Sequence, residues 1–128
     1  MHFGEHLMID GYGGALELLN KKECVLAVLE RLPKQLGMQV IGAPQIVYFP
    51  GNDIKDPGGW TGVTLIAESH ISIHTFPKRG FLTADIYTCK NGMEKDVVIE
   101  YLKKTFALTD VEINFVKRGT RYPDNNIY

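Results

Sequence analysis

The stretch that decides the fold is "WTGVTLIAESHISIHTFPKRGFLTADIYTC", residues 60–89. It contains three runs, at 60–68, 70–76 and 80–89, in which β-branched and aromatic residues alternate with polar ones, as they do in strands. Very few residues separate one run from the next, and strands joined by such short connections pair antiparallel. The stretch therefore predicts three consecutive antiparallel strands.

The sequence on either side adds further strands and two helices. Strands are expected at 2–9, 38–49 (interrupted) and 111–119, helices at 20–37 and 90–106, a loop at 50–59 and a polar tail at 120–128. Apolar stripes at helical spacing are formed by Val25, Leu29, Leu32 and Leu36, and by Val97, Val98, Tyr101 and Leu102. Asn20 and Glu23 resemble a capping box at the start of the first helix, and Pro33 should end or kink that helix.

This order of elements, β-α-β-β-β-β-α-β, predicts the α+β class. Two helices would cover one face of a mainly antiparallel sheet, giving a two-layer α/β sandwich. Large apolar residues occur in both phases of the strand at 60–68, at Val63, Leu65 and Ile66. We therefore expect the uncovered face of the sheet to be buried against a second copy, so that the chain dimerises through the sheet layer.

Composition limits the classes of function. The 128 residues suit one domain spanning 1–128, with 45% hydrophobic and 23% charged residues. A net charge of −1 gives no basis for general nucleic-acid binding. No apolar run approaches the roughly 18 residues of a membrane span, and the first residues lack the features of a signal peptide. Two cysteines, Cys24 and Cys89, fit free thiols in an intracellular protein, so a cytoplasmic location is predicted.

The polar residues within this strand region need a separate explanation. His70 and His74 are four residues apart, about 13 Å along a strand, so they cannot share one metal ion. Ser69, His74 and Asp85 include the residue types of a hydrolase triad, but no Gly-x-Ser-x-Gly motif surrounds Ser69. Glu68 and Ser69 would destabilise a core-forming region unless they were hydrogen-bonded, so an ordinary strand explains them poorly.

The segment "AESHISIHTFPKRGFLTADIYTC", residues 67–89, resembles the prokaryotic S-adenosylmethionine decarboxylase proenzymes. The shared pattern is Glu-Ser-His-x-x-Ile-His-Thr-aromatic-Pro, then a glycine, then a strand ending in Thr-Cys. Ser69, His74 and Cys89 stand at the spacing of that family. The resemblance extends to "GEHLMID" near the N-terminus, to the chain length and to the order of elements.

The resemblance implies that the chain cleaves itself between Glu68 and Ser69. Serinolysis would give a beta chain of residues 1–68 and an alpha chain of residues 69–128, whose first residue becomes a pyruvoyl group made from Ser69. That group would replace pyridoxal phosphate in forming a Schiff base with the substrate, and no metal is expected. His74 would transfer protons during processing, Thr61 would support it, and Cys89 would be the proton donor in catalysis. Because strand positions five apart face opposite sides, Ser69 would need a bend to meet His74.

By the same resemblance, the substrate is S-adenosylmethionine and the product is the aminopropyl donor for spermidine synthesis. Phe76 would pack on the adenine, and Asp10 would lie near the amino acid end of the substrate. Lys78 replaces a glutamate that relatives use for the ribose hydroxyls. The second stacking aromatic stays open between Tyr48, Phe49 and Trp60.

Two other functions remain open. Arginine or ornithine could be decarboxylated on the same scaffold, although Lys78 and Arg79 are poor neighbours for a cationic side chain. Alternatively, the chain could be an unprocessed, non-catalytic homologue that binds a partner.

The resemblance also implies a homodimer of cleaved alpha/beta pairs, with the active sites near the subunit interface.

Overall fold

Alternating side chains and short turns produce the six-stranded sheet on which the fold is built. The computed structural model describes residues 1–52 and 54–128. Its strands are β1 (Gly4–Tyr12), β2 (Gln45–Phe49), β3 (Gly59–Ile66), β4 (Ser69–Phe76), β5 (Phe81–Thr88) and β6 (Asp110–Arg118). Its helices are α1 (Leu16–Leu19), α2 (Lys22–Gln35) and α3 (Lys95–Phe106), with a 3₁₀ turn at Pro77–Arg79.

The six strands form one antiparallel sheet in the order β2-β3-β4-β5-β1-β6. The three strands predicted from residues 60–89 lie side by side, in agreement with the sequence. Ile66 pairs with Ser69 across the β3–β4 turn, and Phe76 pairs with Phe81 across the β4–β5 turn. Gly80 closes the second turn in the left-handed region, at φ 62°, where a residue without a β-carbon is favoured.

The core lies between the sheet and the two long helices, as the α+β prediction requires. Its strand members include Leu7, Ile9, Ile71, Ile73 and Ile86, and its helix members include Val25, Val28, Leu29, Leu32, Val98 and Leu102, all at most 1% exposed. We call this side of the sheet the helix face. Each fully buried aliphatic side chain contributes about 1.5–3 kcal/mol of transfer free energy.

The other side of the sheet, which we call the open face, carries the alternate residues of every strand. No helix covers it among residues 1–52 and 54–128. Val47 is 63% exposed and Leu65 is 57% exposed, so apolar side chains meet solvent here. The two-layer architecture is confirmed, and burial of the open face by a second copy stays a prediction.

Several local predictions were wrong. Asn20 ends the four-residue helix α1, which sequence reasoning did not identify, and the residue that precedes α2 is Lys21, without a side-chain cap hydrogen bond. Pro33 was expected to end or kink its helix, and the first of these is excluded, because α2 continues to Gln35. The interrupted strand at 38–49 reduces to β2 and an isolated bridge between Val40 and Ile66.

None of the helices in residues 1–52 and 54–128 is long and apolar enough to cross a membrane.

Candidate functional site

The bond between Glu68 and Ser69 lies in a tight turn. Ala67 and Glu68 are the two residues between the paired Ile66 and Ser69, and we call Ile66–Ser69 the Ser69 turn. Glu68 is exposed and Ser69 is partly buried. The amide of Ala67 donates to the carbonyl of Gln39 at 3.0 Å, which fixes the turn against a neighbouring segment. The bond therefore follows an exposed residue, in a turn between two paired strands.

Ser69 contacts the residue predicted to be the proton donor. The backbone amide of Cys89 donates a hydrogen bond to Ser69 Oγ at 3.0 Å. Cys89 follows the last residue of β5, and its free thiol is partly buried. Next to it, the amide of Lys90 donates to Thr88 Oγ1 at 3.0 Å. The structure thus brings Ser69 and Cys89 together at one end of the sheet.

His74 lies in a different group. Its Nδ1 is 3.1 Å from Thr61 Oγ1, within hydrogen-bond distance across β3 and β4. Strand pairing joins Thr61 to His74, His74 to Thr83 and Thr83 to Asp10. Paired residues project on the same side of a sheet, so these four form a row on the open face, which we call the His74 row. This pairing places the Thr61 hydroxyl beside the His74 ring, and the supporting role that the resemblance implies for Thr61 stays a prediction.

The structure does not bring Ser69 to His74 within one chain. Ser69 belongs to the helix face with Ile71, whereas His74 belongs to the open face. β4 pairs without interruption on both sides, so five residues separate the two by roughly 16 Å. The bend expected at Ser69 exists as the Ser69 turn, but it reverses the chain before β4 begins. Within a single chain, this bend therefore does not bring the two residues together.

Carboxylates concentrate beside the His74 row. Burial, together with the negative charges of Glu112 and Asp85, raises the pKa of Asp10 above its ordinary value. Glu112 pairs with Asp10 across β1 and β6 and accepts a hydrogen bond from the Tyr12 hydroxyl at 2.7 Å. That hydrogen bond is the main cause that raises the pKa of Tyr12. This part of the open face therefore presents a negative potential.

The predicted substrate contacts lie at the far end of the sheet from the Ser69 turn. Phe76 packs on Phe81 with ring centroids 5.5 Å apart, and Phe81 packs on Tyr12 at 5.3 Å. A cavity of about 600 Å³ adjoins these three rings and is also lined by Lys55 and Arg79. Lys78 lies in the exposed 3₁₀ turn. Within one chain, seven strand positions, about 23 Å, separate Phe76 from Ser69.

Two of the three candidates for a second stacking aromatic, Tyr48 and Trp60, lie on the helix face. Trp60 packs edge-on against Tyr48 with centroids 5.1 Å apart, and its indole Nε1 donates to the carbonyl of Asn20 at 2.9 Å. These contacts place Trp60 on the helix face, away from Phe76. Phe49 is exposed at the end of the edge strand β2. The ring that packs directly on Phe76 is Phe81, and Tyr12 packs on Phe81 in turn.

The alternative catalytic sets do not assemble. Asp85 is hydrogen-bonded to His6 Nε2 at 2.9 Å and accepts a hydrogen bond from Ser72 at 3.5 Å, on the open face. Ser69 faces the opposite side, so Ser69, His74 and Asp85 form no triad. Within residues 1–52 and 54–128, no three histidine, cysteine, aspartate or glutamate side chains converge as metal ligands.

Comparison with known proteins identifies the family of the chain. The sequence profile described as S-adenosylmethionine decarboxylase matches residues 5–119, nearly the whole chain. The chain belongs to the S-adenosylmethionine decarboxylase family. The resemblance identified from residues 67–89 is thereby confirmed.

Individual family members are similar over almost their full length. A Clostridium botulinum protein named S-adenosylmethionine decarboxylase proenzyme is 30% identical over 116 residues, which cover 91% of this chain and 94% of that protein. A proenzyme of the same name from Symbiobacterium thermophilum is 32% identical over 118 residues, covering 92% and 84%. The crystal structure of the adenosylmethionine decarboxylase from Aquifex aeolicus matches with a TM-score of 0.79 and 28% identity, covering 98% of both chains.

Sequence reasoning missed one group in this S-adenosylmethionine decarboxylase family member, the carboxylate of Glu5. Glu5 is only 5% exposed and pairs with Thr88, beside Cys89. Burial acts to raise its pKa, but hydrogen bonds from the amides of Met93 and Gly92 and from His2, together with the charge of His2, outweigh burial, so the pKa is lowered. A charged residue in a strand phase otherwise occupied by Leu7 and Ile9 was the signal that could have revealed it.

Proposed function

We propose that the chain is a pyruvoyl-dependent S-adenosylmethionine decarboxylase that matures by serinolysis between Glu68 and Ser69. The observation that carries the proposal is the geometry of the Ser69 turn. Glu68 is exposed there, and the hydroxyl oxygen of the next residue, Ser69, lies 3.0 Å from the amide nitrogen of Cys89. Family membership over residues 5–119 and relatives named as proenzymes support it.

Processing uses groups of the chain itself. The Ser69 hydroxyl adds to the carbonyl carbon of Glu68 and gives up its proton, the C–N bond breaks, and the amine of Ser69 takes up a proton. The resulting ester loses the α-proton of Ser69 and expels the carboxylate of Glu68, which leaves dehydroalanine. Tautomerisation and hydrolysis then release ammonia and leave the pyruvoyl group. The Cys89 amide supports the first step because it orients Ser69 Oγ.

The residues around Ser69 fit a pyruvoyl group at that position. Cys89 supplies a backbone N–H that already donates to an oxygen of residue 69, and its partly buried thiol follows directly. Such a group supplies an electron-withdrawing ketone that accepts charge as carbon dioxide leaves. Cys89 would donate the proton that replaces the lost carboxylate, because its thiol carries a transferable hydrogen next to residue 69.

A second copy of the chain would complete this site. Ser69 and His74 lie on opposite faces roughly 16 Å apart, so His74 needs another chain to reach a Ser69 hydroxyl. The open face carries the His74 row and exposed apolar residues such as Leu65 and Val47, which makes it the surface that a second copy would cover. In this homodimer of alpha/beta pairs, the His74 row of one chain would lie near the end of the partner's sheet that carries the Ser69 turn.

The same arrangement would bring the predicted substrate residues to the reacting group. Phe76 offers a ring face that suits both adenine and a sulfonium cation, and it lies two residues after His74. Asp10, in the His74 row, would receive the amino acid end of the substrate. Lys78 would donate hydrogen bonds to ribose hydroxyl oxygens, where a glutamate would accept them.

A second candidate function is decarboxylation of arginine or ornithine by the same chemistry. The negative potential around Asp10, Asp85 and Glu112 favours it, because a guanidinium or ammonium side chain would be attracted there. Lys78 stands where the resemblance implies a glutamate for the ribose hydroxyls, which also weakens the case for a substrate that contains ribose. Release of labelled carbon dioxide from carboxyl-labelled S-adenosylmethionine, arginine and ornithine, assayed side by side, decides between them.

The roles of the residues are tested by substitution. Cys89→Ala should still give both fragments but should abolish most turnover, because the proton donor is lost while the Ser69 hydroxyl remains. His74→Ala should slow the appearance of fragments on a denaturing gel. Full turnover by the Cys89→Ala protein, or unchanged maturation of the His74→Ala protein, would remove the respective residue from its role. A chain that stays whole while binding a partner would favour the non-catalytic alternative.

A further inference from the structure

The buried carboxylate of Glu5 holds the segment that follows Cys89. Its two oxygens accept hydrogen bonds from consecutive backbone amides, Met93 at 2.8 Å and Gly92 at 3.2 Å. His2 Nε2 is a third partner, 3.3 Å from the oxygen that Gly92 contacts. The segment 90–93 lies outside the strands and helices, so side-chain contacts hold its path. Besides Glu5, these are the hydrogen bonds of Lys90 to Thr88 Oγ1 and to the carbonyl of Gly37, and that of the Asn91 side chain to the carbonyl of His2. Glu5 is the group that binds the backbone amides of Gly92 and Met93.

The start of β1 also approaches Cys89 directly. Glu5 is in register with Thr88, the last residue of β5. A β-carbon at Gly4 would collide with the carbonyl oxygen of Thr88 and lie 3.1 Å from Cys89 Cα, so only glycine permits this approach. One continuous set of contacts therefore leads from Glu5 through the backbone at 88–93 to the Cys89 amide and Ser69 Oγ.

We propose that Glu5 is a positioning residue that holds Cys89 and, through its amide, Ser69 in place. The inference rests on the proposed function for the importance of Cys89, but the contact itself can be measured without it. A carboxylate suits this position because both of its oxygens accept. Glutamine has the same shape, yet its amide nitrogen would face a backbone N–H, so one of the two backbone donors would lose its acceptor.

The first test measures access to the Cys89 thiol. In an uncleaved Ser69→Ala, Cys24→Ala chain, Cys89 is the only thiol, and its alkylation by iodoacetamide can be followed by mass. Adding Glu5→Gln should raise the alkylation rate about fivefold or more, because the segment after Cys89 loosens. A rate within twofold of the parent would overturn the proposal.

Two matched controls separate positioning from general destabilisation. His2→Ala removes one partner of Glu5 but keeps both amide hydrogen bonds, so the alkylation rate should stay unchanged. Val28→Ala destabilises the core from α2, away from this segment, and should also leave the rate unchanged despite a lower Tm. An equal rise in the Val28→Ala protein would overturn the proposal, because fold stability alone would then explain the effect.

A second measurement needs no substitution at Glu5. In the Ser69→Ala chain, the amides of Gly92 and Met93 should exchange with deuterium at least tenfold more slowly than the amide of Asn91. Their protection should persist as pH falls and be lost only below the ordinary glutamate range, because the pKa of Glu5 is lowered. Equal exchange at all three amides would refute the contact.

The turnover experiment is separate. In the chain that keeps Ser69 and can mature, Glu5→Gln should slow fragment formation. It should also lower kcat more than it changes KM. If the parent Ser69 chain does not cleave, the proposed function fails, whereas the thiol and exchange results still decide whether Glu5 positions Cys89.

Discussion

The hydrogen bond between Thr61 and His74 offers a quantitative test of the processing site. Thr61 and His74 are paired across β3 and β4, and Thr61 Oγ1 is 3.1 Å from His74 Nδ1. Thr61→Val keeps the shape of the side chain and removes the hydroxyl, so His74 would lose the group that fixes the orientation of its ring. A neutral hydrogen bond contributes about 0.5–1.5 kcal/mol net, and about 1.4 kcal/mol corresponds to a tenfold change in rate.

Thr61→Val should therefore slow self-cleavage about two- to tenfold. The assay follows loss of the 14.4 kDa chain on a denaturing gel after synthesis is stopped. Thr61→Ser is the matched control, since it keeps the hydroxyl and should cleave at close to the parent rate. If Thr61→Val cleaves as fast as the parent, or Thr61→Ser is slowed to the same degree, the hydroxyl does not act through His74 and the reasoning fails.

Two further predictions concern stability. Thr64 is 1% exposed, and its hydroxyl has no hydrogen-bond partner among the residues that the structure describes. Thr64→Val should therefore stabilise the fold by about 1–2 kcal/mol, which would appear as a higher midpoint of unfolding in urea. An unchanged or lower midpoint would contradict this. The pKa of folded Asp10 is raised by burial and by Glu112 and Asp85, so its ionisation opposes folding as pH rises from the unfolded pKa towards the folded one. The free energy of unfolding of the Asp10→Asn protein should exceed that of the parent at neutral pH, and the difference should shrink below about pH 4. If the difference does not vary between about pH 3 and pH 7, the ionisation of Asp10 is not its cause.

Much of the sheet was predictable because its strands are local. The runs at 60–68, 70–76 and 80–89 correspond closely to β3, β4 and β5, since alternation and short turns are enough to fix neighbouring antiparallel strands. The opposite orientation of Ser69 and His74 was also predictable from the period of two. Helix α1 was missed because its four residues are too few to show a helical period.

The contacts of the site depend on residues far apart in sequence, which is why the sequence did not reveal them. Glu5 meets Gly92 and Met93 only because β1 lies next to β5 in one particular register. Phe81 and Tyr12 come together for the same reason. Ser69 and Cys89, in contrast, could be paired in advance, because the resemblance supplied their spacing and the structure places them 3.0 Å apart, Oγ to amide nitrogen.

The mass of the purified protein under denaturing conditions tests the central proposal most directly. We expect two polypeptides, residues 1–68 ending in a free carboxylate and residues 69–128 lighter by one ammonia than the fragment that would begin with serine. Ser69→Ala should give only the intact chain. A protein that decarboxylates its substrate while remaining one uncleaved chain of 128 residues would contradict the account.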